Sequence, residues 1–126
     1  MKTAVQTDKA PTAIGPYSQG IISGDLLFVS GQLPIDPATG KIIAGNMTAQ
    51  TERILLNLTA IVEAAGTQPA NIVKTTIFLK DLSDFAEVNM AYAGFFESSP
   101  PARSTVQVAA LPLDARIEIE AVVSMV

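Results

Sequence analysis

The chain has no cysteine, no histidine and no tryptophan among its 126 residues. Without cysteine there is no disulfide framework, thiolate nucleophile, iron–sulfur cluster or Cys-ligated zinc. Without histidine there is no imidazole base, no Ser-His-Asp triad and no His-built metal site. Catalysis would fall to carboxylates, Arg, Lys, Tyr, hydroxyls and backbone groups. Charge is scarce too: Asp, Glu, Lys and Arg make up 16% of the chain, against about 25% in an average soluble protein. Yet no apolar run approaches the roughly 18–20 residues that span a membrane. The longest, such as Leu26-Leu27-Phe28-Val29, are strand-sized. An apolar content of 48% with so little charge implies that part of the surface is buried against other copies of the chain.

What charge there is leans acidic, 12 residues against 8 basic, for a net −4. That balance argues against nucleic acid as a partner, since phosphate neutralisation supplies most of such affinity. The basic residues also form no run or stripe. The opening Met1-Lys2-Thr3-Ala4-Val5-Gln6 has no apolar h-region, which argues for cytoplasmic residence. The length suits one domain over 1–126, and no repeat, low-complexity tract or long linker divides it.

Pro11 to Tyr17 reads as an irregular lead-in punctuated by Pro11, Gly15 and Pro16. Gln19–Ser23 and Leu26–Ser30 read as strands joined at Gly24-Asp25, a hairpin signal. Gly31 to Gly45, with Pro34, Pro37 and Gly40, reads as loop. Asn46 can cap a helix carrying Ile54, Leu55, Leu58, Ile61, Val62 and Ala65 at helical spacing, with Gly66 as the left-handed residue after its end. Ile72–Leu79 follows as a strand. Ser83 can cap a second helix with the stripe Phe85, Val88, Tyr92, Phe95 and Phe96, stopped by Pro100-Pro101. Ala102–Val108 and Arg116–Ser124 close the chain as strands. This order calls for an α+β domain with both helices on one face of a mixed sheet and the other face open to water or another subunit.

Candidate functional residues follow from the strands. Along Arg116 to Val123, Ile117, Ile119, Ala121 and Val123 share one face, while Arg116, Glu118 and Glu120 share the other, which turns apolar at Val122. Glu120 sits where that face becomes hydrophobic, so it is expected to be the desolvated carboxyl with a raised pKa, and Glu118 the solvated one. The alternative is two surface acids. Arg103, opening its strand, can grip a carboxylate with two parallel hydrogen bonds or make an ordinary salt bridge. Asn89 borders the apolar stripe of the second helix and needs a partner. Tyr17 stands in a stiff, Gly-flanked loop, either lining a cleft or packed on the core. Neither G-x-x-x-x-G-K-[ST] nor G-x-G-x-x-G occurs, so nothing points to phosphate or dinucleotide binding. No Asp/Glu cluster suggests magnesium.

Five segments then assemble in order: Ile14-Gly15-Pro16-Tyr17-Ser18-Gln19-Gly20, Val29-Ser30-Gly31-Gln32-Leu33-Pro34, Lys74-Thr75-Thr76-Ile77-Phe78-Leu79-Lys80-Asp81-Leu82, Pro101-Ala102-Arg103-Ser104 and Ile117-Glu118-Ile119-Glu120-Ala121. Together they closely resemble the Rid family of reactive intermediate deaminases, RidA subgroup, over nearly the whole chain. The resemblance implies a chorismate-mutase-like α+β fold in a homotrimer, with sheets forming a central barrel, helices outside and clefts between subunits. It implies hydrolysis of reactive enamines and imines, 2-aminoacrylate and 2-iminopropanoate among them, to 2-oxo acids and ammonia, with no cofactor or metal. By that resemblance Arg103 holds the substrate carboxylate and Glu120 handles the water. Tyr17, Ser30, Gly31 and Asn89 line the cleft, together with Thr105, which stands where members often carry cysteine. The connection Glu97-Ser98-Ser99-Pro100 is shorter than usual in the family, which alters the cleft rim. The rival expectation is a small-molecule-binding regulatory or chaperone-like trimer using the same cleft without relevant turnover.

Overall fold

The computed structural model describes residues 1–126. A short strand, Lys2–Val5 (β1), borders Gly20–Ser23 (β2) at one edge of the main sheet. The chain then reverses through Gly24, at φ +60°, into Leu26–Gln32 (β3). A left-handed residue matches the twist that a two-residue hairpin needs, so the Gly24-Asp25 signal is realised. The stretch from Gly31, expected to be loop, instead continues β3 and then forms a small hairpin of Ile35–Asp36 (β4) and Lys41–Ile42 (β5). These two-residue strands are too short for alternation to announce them, and β1 carries no flanking turn signal.

The first helix, Met47–Ala64 (α1), starts where expected. The Asn46 side chain accepts a hydrogen bond from the Ala49 N–H at 2.9 Å, and Gly66 follows its end at φ +93°. Its buried stripe of Ile54, Leu55, Leu58, Ile61 and Val62 lies on the sheet. Asn57 is fully buried on this helix. Its amide donates to the carbonyls of Leu33 and Ile35 at 3.2 and 2.9 Å, fastening the small hairpin to α1.

Ile72–Leu79 (β6) has the expected boundaries. Ser83 does not cap the second helix. It lies inside a 3-10 turn, Leu82–Asp84, where the Asp81 carboxylate accepts from its N–H at 2.9 Å, and the helix, Phe85–Phe95 (α2), begins after it. An aspartate that can form this local turn competes with the serine one turn too early. On α2, Val88 and Tyr92 are buried and Phe95 and Phe96 pack at the edge of the core, while Phe85 is exposed. Ala102–Gln107 (β7) returns parallel to β6. After a 3-10 turn at Pro112–Asp114, Ile117–Ser124 (β8) completes the sheet.

The order across the six-stranded sheet is β1-β2-β3-β8-β6-β7. The last strand in sequence therefore lies between β3 and β6, antiparallel to both. Ile117, Ile119, Ala121 and Val123 of β8 face the helices and are buried, as their alternation requires. The opposite face is uncovered. Along it run cross-strand rows Ile21–Phe28–Val122–Lys74–Ala102, then Glu120–Thr76–Ser104, then Glu118–Phe78–Val106. Phe28 and Val106 on this face remain 46% and 42% exposed. The α+β expectation with both helices on one face holds. Replacing Asn46 with Ala should lower stability by about 1 kcal/mol through the lost helix cap. Urea unfolding followed by circular dichroism checks this, with an unchanged midpoint as the contrary result.

Candidate active site

The site residues fall into two groups, and the first is built around an irregularity in β3. Val29 pairs with Ala121 and Gln32 with Ile119, so three steps on β3 oppose two on β8. The extra residue is a β-bulge, which releases Ser30 and Gly31 from the ladder and re-aims them. Gly31 lies directly under the Glu118 carboxyl, and a Cβ on Gly31 would fall inside that group. A larger residue there would force the Glu118 carboxyl to swing away. Glu118 is thereby half-buried, between the bulge and Phe78, and its pKa is raised by burial first and by the nearby Glu120 charge second. Glu120 is exposed, in a row with Thr76 and Ser104. Within the single chain the desolvation thus falls on Glu118 rather than on Glu120, the opposite of what the β8 pattern suggests. Reading along β8 alone locates the apolar transition at Val122, but the desolvation comes from cross-strand neighbours.

The bulge also ties down the Tyr17 loop. The Ser30 hydroxyl donates to the Ser18 carbonyl at 2.6 Å, and the Ser30 N–H to the Gln19 carbonyl at 2.9 Å. The buried Gln19 amide reaches back to the Thr7 and Pro11 carbonyls at 3.1 and 2.8 Å. Tyr17 is not packed on the core; it is 52% exposed, and its hydroxyl accepts from the Ile14 N–H at 3.4 Å. Tyr17, Gly31 and Gln32 line a cleft of about 260 Å³ with Ile14, Pro112 and Leu113. Leu113 carries no signal in the sequence pattern.

The second group lies at the other edge strand. Arg103 pairs in register with Thr75, which pairs with Ala121, so its side chain points to the helix side. There its guanidinium lies 4.9 Å from the centre of the Tyr92 ring and 5.5 Å from that of Phe85. Such stacking holds a cation while leaving its N–H edge free. Arg103 makes no salt bridge or hydrogen bond within the chain; the ion pairs are Lys80–Asp114 and Arg116–Asp84. Tyr92 is fixed by a 2.6 Å hydrogen bond with the Thr75 hydroxyl, and burial raises its phenol pKa. Arg103, Asn89 and Tyr92 line a second cleft, about 390 Å³, with Phe96 and Pro101. The Asn89 amide has no partner in the chain, and Thr105 one pleat on leaves its buried hydroxyl unpaired.

The two groups do not converge within one chain. Arg103 and Thr105 face the helices, whereas Glu118 and Glu120 face the uncovered side, and no residue lines both clefts. One half offers an unpaired cation with hydrogen-bonding groups. The other offers a carboxyl that is held closer to neutrality than usual, beside the bulged backbone.

With the fold and the two clefts described, comparison with known proteins gives the lineage of the chain. The family described as endoribonuclease L-PSP matches residues 7–125, and the chain belongs to it, as a member of the Rid family that its sequence motifs resemble. A RutC family protein of Sinorhizobium fredii is 56% identical over 121 residues, 96% of either chain. A 2-iminobutanoate/2-iminopropanoate deaminase of Salmonella typhimurium is 51% identical over 125 residues, 97% of either chain. Among solved structures, Escherichia coli TdcF with bound serine superposes with a TM-score of 0.93 at 46% identity, covering 97% of this chain and 98% of that one.

The raised pKa of Glu118 carries a sign for stability. A carboxyl whose folded-state pKa lies above its unfolded value favours folding while protonated. That contribution is present below the unfolded pKa and is lost as pH rises through the folded one. Glu118→Gln should therefore raise the thermal unfolding midpoint relative to the parent at pH 7, by a margin that shrinks below pH 4. A margin independent of pH would mean that Glu118 is not desolvated.

Proposed function

We propose that the chain is a hydrolytic deaminase of reactive 2-imino acids and their enamine tautomers, such as 2-iminopropanoate and 2-aminoacrylate, working as a homotrimer. The observation that carries this reading is the unpaired Arg103 guanidinium, held between the Phe85 and Tyr92 rings at a cleft mouth. A guanidinium so displayed suits the carboxylate of an amino-acid-derived ligand. The relative named as a 2-iminobutanoate/2-iminopropanoate deaminase and the neighbour solved with serine support the same substrate class.

The iminium carbon is already electrophilic, so the chemistry asks for little beyond orientation and proton handling. Arg103 fixes the carboxylate, with Asn89 and Thr105 as hydrogen-bonding neighbours. Water adds to the iminium carbon and gives up a proton, for which Glu118 is the acceptor in this reading. Glu118 then returns that proton to the nitrogen, and as the C–N bond breaks ammonia leaves while the hydroxyl gives up its own proton to the freed Glu118 carboxylate or to solvent and becomes the carbonyl. Glu120 contributes the negative charge that helps keep the Glu118 proton available. Because Arg103 and Glu118 lie on opposite faces of the sheet, the reading requires the two half-sites to come from neighbouring copies. The bare face with Phe28 and Val106, and the low charge content, support such an assembly. A net charge of −4 weighs against RNA cleavage as the main activity, despite the endoribonuclease description of the family.

Two measurements test this. Sedimentation equilibrium at micromolar concentration should give three times the 13.2 kDa chain mass; one chain mass would remove the shared cleft. Ammonia release from 2-aminoacrylate generated in situ should collapse in Arg103→Ala and recover little in Arg103→Lys. It should fall about a hundredfold in Glu118→Gln, and much less in Glu120→Gln. Mixing and reassembling the inactive Arg103→Ala and Glu118→Gln proteins should restore activity, because some clefts then receive both intact halves. Equal losses at Glu118 and Glu120, or no recovery on mixing, would overturn the assignment.

A further inference from the structure

The turn before β8 holds its backbone in a costly conformation. Leu113 stands at φ 58°, ψ 23° and Asp114 at φ 54°, two successive non-glycine residues in the left-handed region. Each costs roughly 1–2 kcal/mol and persists only where the surroundings over-determine it. Here they do. Lys80 pairs with the Asp114 carboxylate, the Ala115 N–H donates to the Pro112 carbonyl at 3.1 Å, Ala115 is buried, and Arg116 holds Asp84 with both carboxylate oxygens at 3.0 Å. The product of this bracing is a leucine side chain that is 66% exposed. It gains little from burial in the chain. What it does is line the Tyr17–Gly31 cleft together with Ile14, another exposed aliphatic at 86%, and with Leu33, Ile35 and Pro112.

We propose that Leu113 is a specificity-determining residue: a braced apolar wall that selects substrates whose side chain is aliphatic and larger than methyl. The identity of the substrate rests on the deaminase reading above; the wall itself rests on the cleft. The polar end of the ligand belongs to Arg103 and Glu118, and the 260 Å³ cleft with its aliphatic jaw is left for the side chain. A methylene covered on one side by such a wall gains about twofold in affinity, against roughly fourfold for full burial, so the three extra carbons of a leucine side chain gain about tenfold over a methyl.

The test uses stable 2-oxo acids, the products, so that binding is read apart from turnover. By calorimetry the parent protein should bind 4-methyl-2-oxopentanoate about tenfold more tightly than pyruvate. Leu113→Gly, which relieves the left-handed strain and so retains the fold, should bring that ratio to within about threefold, with the loss falling on the larger ligand. Leu113→Met keeps an apolar wall and should keep the ratio. The kcat/KM ratio for the imines derived from leucine and alanine should move in parallel. A parent ratio near one, or one that Leu113→Gly leaves unchanged, overturns the proposal. So does dissociation of the oligomer in Leu113→Gly, which would make the side chain an interface contact. If the binding ratio follows Leu113 while neither imine is hydrolysed, the wall stands and the deaminase reading falls.

Discussion

The alternation of β8 organises everything else. Because β8 is paired on both sides, none of its side chains can change face without breaking two ladders. Ile117, Ile119, Ala121 and Val123 are committed to the helices, and Glu118, Glu120 and Val122 to the open side. The same constraint passes through β6 to β7, where Arg103 and Thr105 go to the helix side and Ala102, Ser104 and Val106 do not. The separation of cation from carboxyl is therefore not a detail of side-chain packing. It follows from the parity of residue numbers across three hydrogen-bonded strands, and it is why Arg103 and Glu118 do not meet within one chain.

Within that frame the ladder yields at two places, between Ile72 and Lys74 on β6 and at Ser30–Gly31 on β3, and the half-buried carboxyl of Glu118 lies at the second. Dropping a residue out of register lets Gly31 slip beneath Glu118, and the serine freed by the same irregularity clamps the loop that carries Tyr17. A single departure from regular pairing thus sets a carboxyl's environment and an aromatic's position together. With neither imidazole nor thiol in the chain, any proton work would fall to a group whose ordinary pKa lies away from neutral pH. Partial burial is the available means of moving it.

Signals confined to one segment were legible in the sequence. The Gly24 hairpin, the Asn46 cap, the Gly66 terminus, the β6 boundaries and the buried face of β8 all depend on residues close together in the chain, and all stand. Family motifs pointed to Arg103, Asn89 and Tyr17, and the structure places Arg103 and Asn89 in one cleft and Tyr17 in another. What was not legible depended on neighbours distant in sequence. On its own strand Glu120 has the more apolar neighbour; Phe78 and Gly31, some forty and eighty-seven residues from Glu118, place the burial on Glu118 instead. Ser83 failed as a cap because Asp81 offers its N–H a competing local turn. Leu113 could not be found at all, since a left-handed leucine has no compositional signature.

The position of β8 has a consequence for how the molecule is made. It is the last strand in chain order yet lies in the middle of the sheet. Until it is synthesised, β3 and β6 each present an unpaired edge to a gap one strand wide, and the pairing that closes the gap joins residues up to roughly a hundred positions apart. Sheet formation is then a late event governed by long-range closure, and the slot invites any extended peptide that arrives before the chain's own strand.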